Sequence, residues 1–160
     1  MQNIRIGIAG VGNCASALVL GIHYYRNKSA DDAIGLMHWS IGGYTPGDID
    51  VVAAIDIDQR KVDRSLAEAI FAAPNCTRVF FESVPDTGVR VQMGCILDGI
   101  ADHMAEYDDQ QRFIAADRPE HDKKQIVEIL KESGVQILLN YMPVGSEQAS
   151  ARARLLMKSS

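Results

Sequence analysis

Apolar residues fall along the chain in two rhythms, short unbroken runs and helical spacings of three and four, and their alternation lays out the elements. Ile4 to Ala17, IRIGIAGVGNCASA, is an apolar run, then a glycine turn, then an alanine-rich segment without proline. It reads as strand, turn and helix start. Residues 13–27 carry Ala15, Leu18, Ile22 and Tyr25 on one helical face, with Asn13 as the expected cap. The helix should fail near Asn27, because Lys28 to Gly47 holds four glycines and a proline. Asp50 to Asp58, DVVAAIDID, is a continuous apolar run ending in acid, the pattern of a parallel strand buried on both faces. Gln59 to Ala73 should then be helical, with Asp58 capping it.

Pro74, Pro85, Gly88, Gly94 and Gly99 break the regularity of residues 74–99, where Arg78 to Phe81 and Val89 to Met93 read as short strands. Leu97 to Tyr107 has weak helical character and Phe113 to Ala116 suits another short strand. A clear amphipathic helix is predicted over 119–132, with Ile126, Val127, Ile129 and Leu130 inward, Pro119 at its first position and Gly134 after its end. Val135 to Leu139 is a third parallel-strand candidate, followed by a loop from Asn140 to Gly145 and by Ser146 as a helix cap. Strands alternating with helices predict an α/β fold, a doubly wound Rossmann-like domain with a mainly parallel, incomplete sheet. Its expected extent is residues 1–149, with 150–160 a separate tail.

The turn Gly10-Val11-Gly12-Asn13-Cys14-Ala15 has the G-x-G-x-x-A form of the dinucleotide fingerprint. Gly10 permits the tight turn, Gly12 lets backbone approach a pyrophosphate, and Ala15 allows close helix-to-strand packing. Free N–H groups and the positive end of the following helix would face the anion. Glycine also serves ordinary turns, so context matters. Asp56, with Ile57 beside it, stands where such a fold offers a carboxylate to the ribose hydroxyls, although about 40 residues past Ala15 rather than the usual ~20. The glycine-rich insertion at 28–47 accounts for the excess. An acid at a strand end can also merely cap the next helix, but Asp58 is available for that. An acidic group here favours NAD over its phosphorylated relative, with Arg60 and Lys61 close enough to complicate the choice. Tyr141 and Pro143, in the loop after the third strand, should meet the glycine turn, since open α/β sheets bind ligands beyond the carboxyl ends of their strands. The same loop also reads as a plain strand-to-helix turn.

Composition narrows the picture. The chain has 160 residues, 47% hydrophobic and 23% charged, as an ordinary globular domain does. Its net charge is −5 and its 16 basic residues form no stripe, which argues against nucleic acid or an acidic membrane surface as partner. No apolar run is long enough for a membrane span. Residues 1–22 share features with a signal peptide, but Gly10, Gly12 and Asn13 interrupt the apolar core. Cys14, Cys76 and Cys95 form no C-x-x-C pair and are odd in number, so a cytoplasmic, reducing compartment is expected. His23, His38, His103 and His121 show no ligand spacing, and no metal site is expected. Lys28 to Gly47 is long for a connection; with Trp39, Met37, Leu36 and Tyr44 it reads as a short covering helix, a mobile lid or a disordered stretch.

Several segments in consistent order carry a family resemblance: GVGNCASAL, GLMH, VVAAIDID with the following RKV, AIFAAPNCT, VPDTGVRVQMGCILDG and NYMPVGSEQA. Over roughly residues 3–149 the chain resembles myo-inositol-1-phosphate synthase of the bacterial and archaeal type. The resemblance implies an NAD-containing isomerase that cyclises D-glucose 6-phosphate by oxidation, enolisation, aldol closure and reduction, returning its hydride each turnover. It further implies a homo-oligomer and a small-molecule substrate. The family's catalytic lysines lie beyond the segment matching PVGSEQA, and none of Lys28, Lys61, Lys123, Lys124, Lys131 or Lys158 falls in a motif that carries a catalytic role over. Residues 150–160, SARARLLMKSS, do not resemble the family's continuation, as a truncation, a shifted reading frame or a divergent ending would produce. The expectation for these residues is therefore an NAD-binding part without its catalytic partner domain. The rival readings are a sugar dehydrogenase with net redox chemistry and a non-catalytic NAD-binding or oligomerising domain.

Overall fold

The computed structural model describes residues 3–100, 102–143 and 146–151. Four strands, β1 (Ile4–Ala9), β2 (Ile49–Asp56), β3 (Val91–Met93) and β4 (Ile137–Asn140), form one parallel sheet in the order β3-β2-β1-β4. Chain order runs outward from β1 to β3 and then returns to place β4 on β1's other side. The carboxyl ends of β1 and β4 thus bracket the point where the winding reverses, which is where open α/β sheets take ligands.

Helices α1 (Asn13–Tyr25) and α2 (Leu66–Ala69) cover one face of the sheet and α3 (Lys123–Glu132) the other. Successive residues of a strand point to opposite faces. Ala54 of β2 accordingly packs with Ile8, Val11, Ala15, Val19, Leu66 and Ile70, while its neighbours Ala53 and Ile55 pack with Ile126 and Leu130. That two-sided burial is why β2 is apolar without alternation. The predicted doubly wound α/β architecture is the one observed.

Several boundaries differ from expectation, each for a local reason. The helix predicted over Gln59 to Ala73 shrinks to Leu66–Ala69, capped by the Ser65 side chain accepting from the Glu68 N–H. Residues 59–64 turn instead, because Asp58 draws in the Arg60 N–H and Asp63 takes φ 66°, after which this backbone pairs with the β3 approach through Asp63 N–H to Val91 O and Val91 N–H to Arg64 O. Gly12, not Asn13, is the N-cap of α1. Helix α3 begins later than Pro119, at Lys123, where Asp122 and Gln125 form a capping box that holds the first turn. Arg78 to Phe81 is irregular, Leu97 to Tyr107 contains only a short 3-10 turn at Asp102–Glu106, and Phe113 to Ala116 contributes a single bridge from Ala115 to Asp58.

The 28–47 insertion holds no α-helix. It is a loop of turns, with Tyr25 Oη donating to Ile34 O at 2.6 Å and Trp39 edge-on to Tyr25. Ile34, Met37 and Ile41 stand exposed on it. The loop positions at Val144 and Gly145, and residues 152–160 of the tail, lie outside the described residues. Residues 147–151 are helical. Among the described residues no helix is long and apolar enough to cross a membrane.

Candidate functional site

Strand β1 delivers its last residue into a turn that only glycine can begin. Gly10 sits at φ 93°, and a Cβ there would lie 2.9 Å from the Tyr141 carbonyl carbon and oxygen. Its N–H donates to Ile55 O at 2.9 Å, so the turn is hung from β2 while leaning on the β4 loop. Gly12 answers a different need: a Cβ on it would meet nothing within 4 Å. The protein's own packing leaves that space open, at the N-terminus of α1. The first helical hydrogen bond runs from Ser16 N–H to Gly12 O at 2.9 Å, so the N–H groups of Asn13, Cys14 and Ala15 precede it without an intrahelical acceptor. Open space beside a helix N-terminus is the arrangement that takes a phosphate.

The acid at the end of β2 braces this turn. Asp56 is buried; one oxygen accepts from Val11 N–H at 2.6 Å, the other from Ile57 N–H at 2.7 Å and Asp58 N–H at 2.8 Å. The oxygen bonded to Val11 N–H keeps one lone-pair site, so the carboxylate can brace the turn and still accept one ribose hydroxyl. Asp58 serves another purpose from the one expected. Fully buried, it accepts from Arg60 Nε at 2.8 Å and Nη2 at 2.6 Å and from Ile114 N–H at 3.0 Å. Burial pushes its proton affinity up, but the bonds from Arg60 and Ile114 together outweigh it and hold the carboxyl below its ordinary range. Arg60 also donates to the Asp109 and Arg112 carbonyls, and Lys61 is fully buried. Both cations are thus engaged within the protein, Arg60 with Asp58 and two carbonyls and Lys61 with the Val11 and Pro74 carbonyls.

Of the ten residues expected at the cofactor, Gly10, Gly12, Asp56, Ile57, Tyr141 and Pro143 line one apolar crevice with Gly94, Cys95, Leu97, Phe113 and Met142. Val11 and Ala15 face the core beneath it, fully buried. Asn13 ties its side chain to the next loop, accepting from Cys76 N–H at 2.9 Å and donating to the Cys76 sulfur at 3.1 Å, and Cys14 is exposed. Burial, with the nearby Cys14 thiol, raises the Tyr141 phenol above its ordinary value. Next to the lining residues Leu97 and Ala149, the Asp98 carboxylate accepts from the Gln148 and Ala149 N–H groups, the first of which chiefly lowers its proton affinity. The enclosed volume is only about 90 Å³, so a nucleotide would lie mostly across the open mouth. A larger cleft of about 610 Å³ lies along Ile49 to Ala53 of β2; the helix start in its lining is that of the four-residue α2, and its Arg26 and Asp50 are paired with each other.

Sequence reasoning missed Lys61 and the Ser16–Asn75 pair. Ser16 Oγ donates to Gly12 O and receives Asn75 Nδ2 at 2.7 Å, locking the first turn of α1 to the 74–77 loop. No pattern announces either: a lysine in a predicted helix reads as solvated, and an asparagine after proline as loop. Among the described residues no group of three or more His, Cys, Asp or Glu could hold a metal ion.

No protein-family model matches the chain. Among curated proteins it is 42% identical over 149 residues to inositol-3-phosphate synthase of Corynebacterium glutamicum, covering 92% of this chain and 39% of that one. It is 44% identical over 147 residues to inositol-3-phosphate synthase of Mycolicibacterium smegmatis, covering 91% and 38%. The Mycobacterium tuberculosis protein of the same name is 41% identical over 147 residues, again with 91% and 38% covered. The chain thus spans under two fifths of the length of these relatives. Among solved structures, the crystal structure of Ari2 superposes with a TM-score of 0.78 at 28% identity, covering 99% of this chain and 44% of that one. A myo-inositol-1-phosphate synthase-related protein from Thermotoga maritima matches with a TM-score of 0.56 at 16% identity, covering 99% and 41%, a likeness of fold alone.

Proposed function

The resemblance read from the motifs holds in the match to the inositol-3-phosphate synthases, and from that premise we propose that this chain forms the NAD site of such an enzyme. One observation carries the reading: beside Gly12, at the start of α1, a Cβ would meet no atom of the described residues within 4 Å, which leaves room at the helix N-terminus. A diphosphate there would take the N–H groups of Asn13, Cys14 and Ala15, while Asp56 would accept from the adenosine ribose. When bound, NAD accepts a hydride from a sugar carbon and returns it. The chain's residues bind and orient the nucleotide; the cyclisation of glucose 6-phosphate to an inositol monophosphate, with its catalytic cations, belongs in this proposal to the remainder of a synthase-length protein. A homo-oligomer in the cytoplasm is part of the same proposal.

Calorimetric titration tests it. NAD should bind with a sub-millimolar Kd and NADP at least about tenfold more weakly, since an acid would meet the 2′ position and Arg60 and Lys61 are engaged within the protein. Gly12→Ala should weaken NAD by about tenfold or more, yet shift the unfolding free energy by no more than about 1 kcal/mol, the scale of an N-cap change. Unchanged NAD affinity in that variant sinks the assignment of the diphosphate to this turn. Net NADH accumulation with a sugar substrate would instead favour a dehydrogenase, because a synthase returns its hydride.

A further inference from the structure

Beneath the phosphate-binding turn lies a buried ammonium group. Lys61 is 0% exposed, and its Nζ donates to Val11 O at 2.6 Å and to Pro74 O at 3.4 Å. On the other side of the same residue, Val11 N–H donates to Asp56 at 2.6 Å. Val11 is therefore gripped at both of its backbone groups. Across a planar trans peptide the carbonyl and the following N–H point in opposite directions. A Val11 carbonyl drawn down onto Lys61 aims the Gly12 N–H the opposite way, out of the buried side.

Burying an ammonium group is costly, and here burial depresses its proton affinity, with the Asp56 and Asp58 carboxylates partly opposing that shift. An apolar side chain of similar volume would fill the space but leave the Val11 carbonyl without its donor. The location asks for a cation for another reason, since an anion bound on the open side of the turn would lie above it. Resting on the dinucleotide reading, we propose that Lys61 is a positioning residue for the nucleotide diphosphate: it sets the Val11–Gly12 peptide plane, aims the Gly12 N–H, and stations a positive charge under the anion without touching it.

The test compares NAD and ADP-ribose by calorimetry with adenosine by NMR titration, in wild-type protein, Lys61→Met and Lys61→Arg. Lys61→Met should weaken NAD and ADP-ribose about tenfold to a hundredfold, the scale of one lost charged hydrogen bond, and leave adenosine within about twofold. Lys61→Arg, which keeps a cation, should recover part of the loss. Equal weakening of adenosine overturns the proposal, since it would mark Lys61 as general support. Should Lys61→Met fail to fold, the wild type decides. Its Lys61 ammonium and Gly12 amide resonances should move with ADP-ribose and stay still with adenosine, and no movement overturns the proposal. A wild type that binds neither NAD nor ADP-ribose sinks the dinucleotide reading itself. A Lys61→Met variant that binds both like the wild type overturns only the role of Lys61.

Discussion

Gly10→Ala should cost about 3 kcal/mol or more of folding stability and reduce NAD binding below detection. Two penalties combine. A residue with a side chain at φ 93° is strained by about 1–3 kcal/mol, and the new Cβ would lie 2.9 Å from the Tyr141 carbonyl, which is backbone and cannot rotate aside. Relief requires the β1 turn to move away from the β4 loop, and both lie at the mouth of the crevice. Against a typical total of roughly 5–15 kcal/mol the loss is large. Urea unfolding and calorimetry with NAD give the two readings. Gly7→Ala is the control: its Cβ would meet only Val135 and Leu138 side-chain atoms at 3.1–3.2 Å, which can shift, so its cost should be smaller. A Gly10→Ala protein that unfolds at the wild-type urea concentration contradicts the geometry.

Asp58→Asn should destabilise by about 2–3 kcal/mol, somewhat under the 3–5 kcal/mol range for breaking a fully buried ion pair, because the Arg60 side chain is 21% exposed. The substitution leaves the guanidinium with the Asp109 and Arg112 carbonyls and withdraws an acceptor from the Ile114 N–H. The acid limb of stability should change as well. Asp58 has a lower proton affinity folded than unfolded, so its contribution is present above the ordinary carboxylate value of about 3.9 and disappears as pH falls below that value through the folded one. Urea midpoints followed from neutral to acid pH should show a shallower acid decline in Asp58→Asn than in wild type. Parallel declines would mean that Asp58 does not carry this linkage.

Much of the site was legible before any coordinates. The apolar runs at Ile4–Ala9 and Ile49–Asp56 announce buried parallel strands, and Gly10, Gly12 and Asp56 come together even though Asp56 lies about twice the usual distance along the chain. Other features were hidden because they depend on partners distant in sequence. Asp58 reads as a helix cap from its neighbours alone. Its burial among Arg60, Ile114 and the 109–112 carbonyls comes from a loop some fifty residues later. The helix expected after it failed for the same reason: pairing between residues 63–66 and 89–91 overrode a local preference worth only tenths of a kcal/mol per residue. The segment at 28–47 carries no period, so none of its expected forms could be selected from the chain.

Sequence alone determined the alternation of strands and helices, the glycine turn and the acid that follows it, because strands buried on both faces demand unbroken apolar runs and the φ of 93° at Gly10 favours glycine. Tertiary structure decided which groups around that turn are free to act. Arg60 and Lys61 are adjacent in the chain and both cationic, yet one closes a buried ion pair with Asp58 and the other lies under Val11. Their fates follow from burial and from the acceptors that distant segments bring within reach, and such long-range contacts leave no local signature.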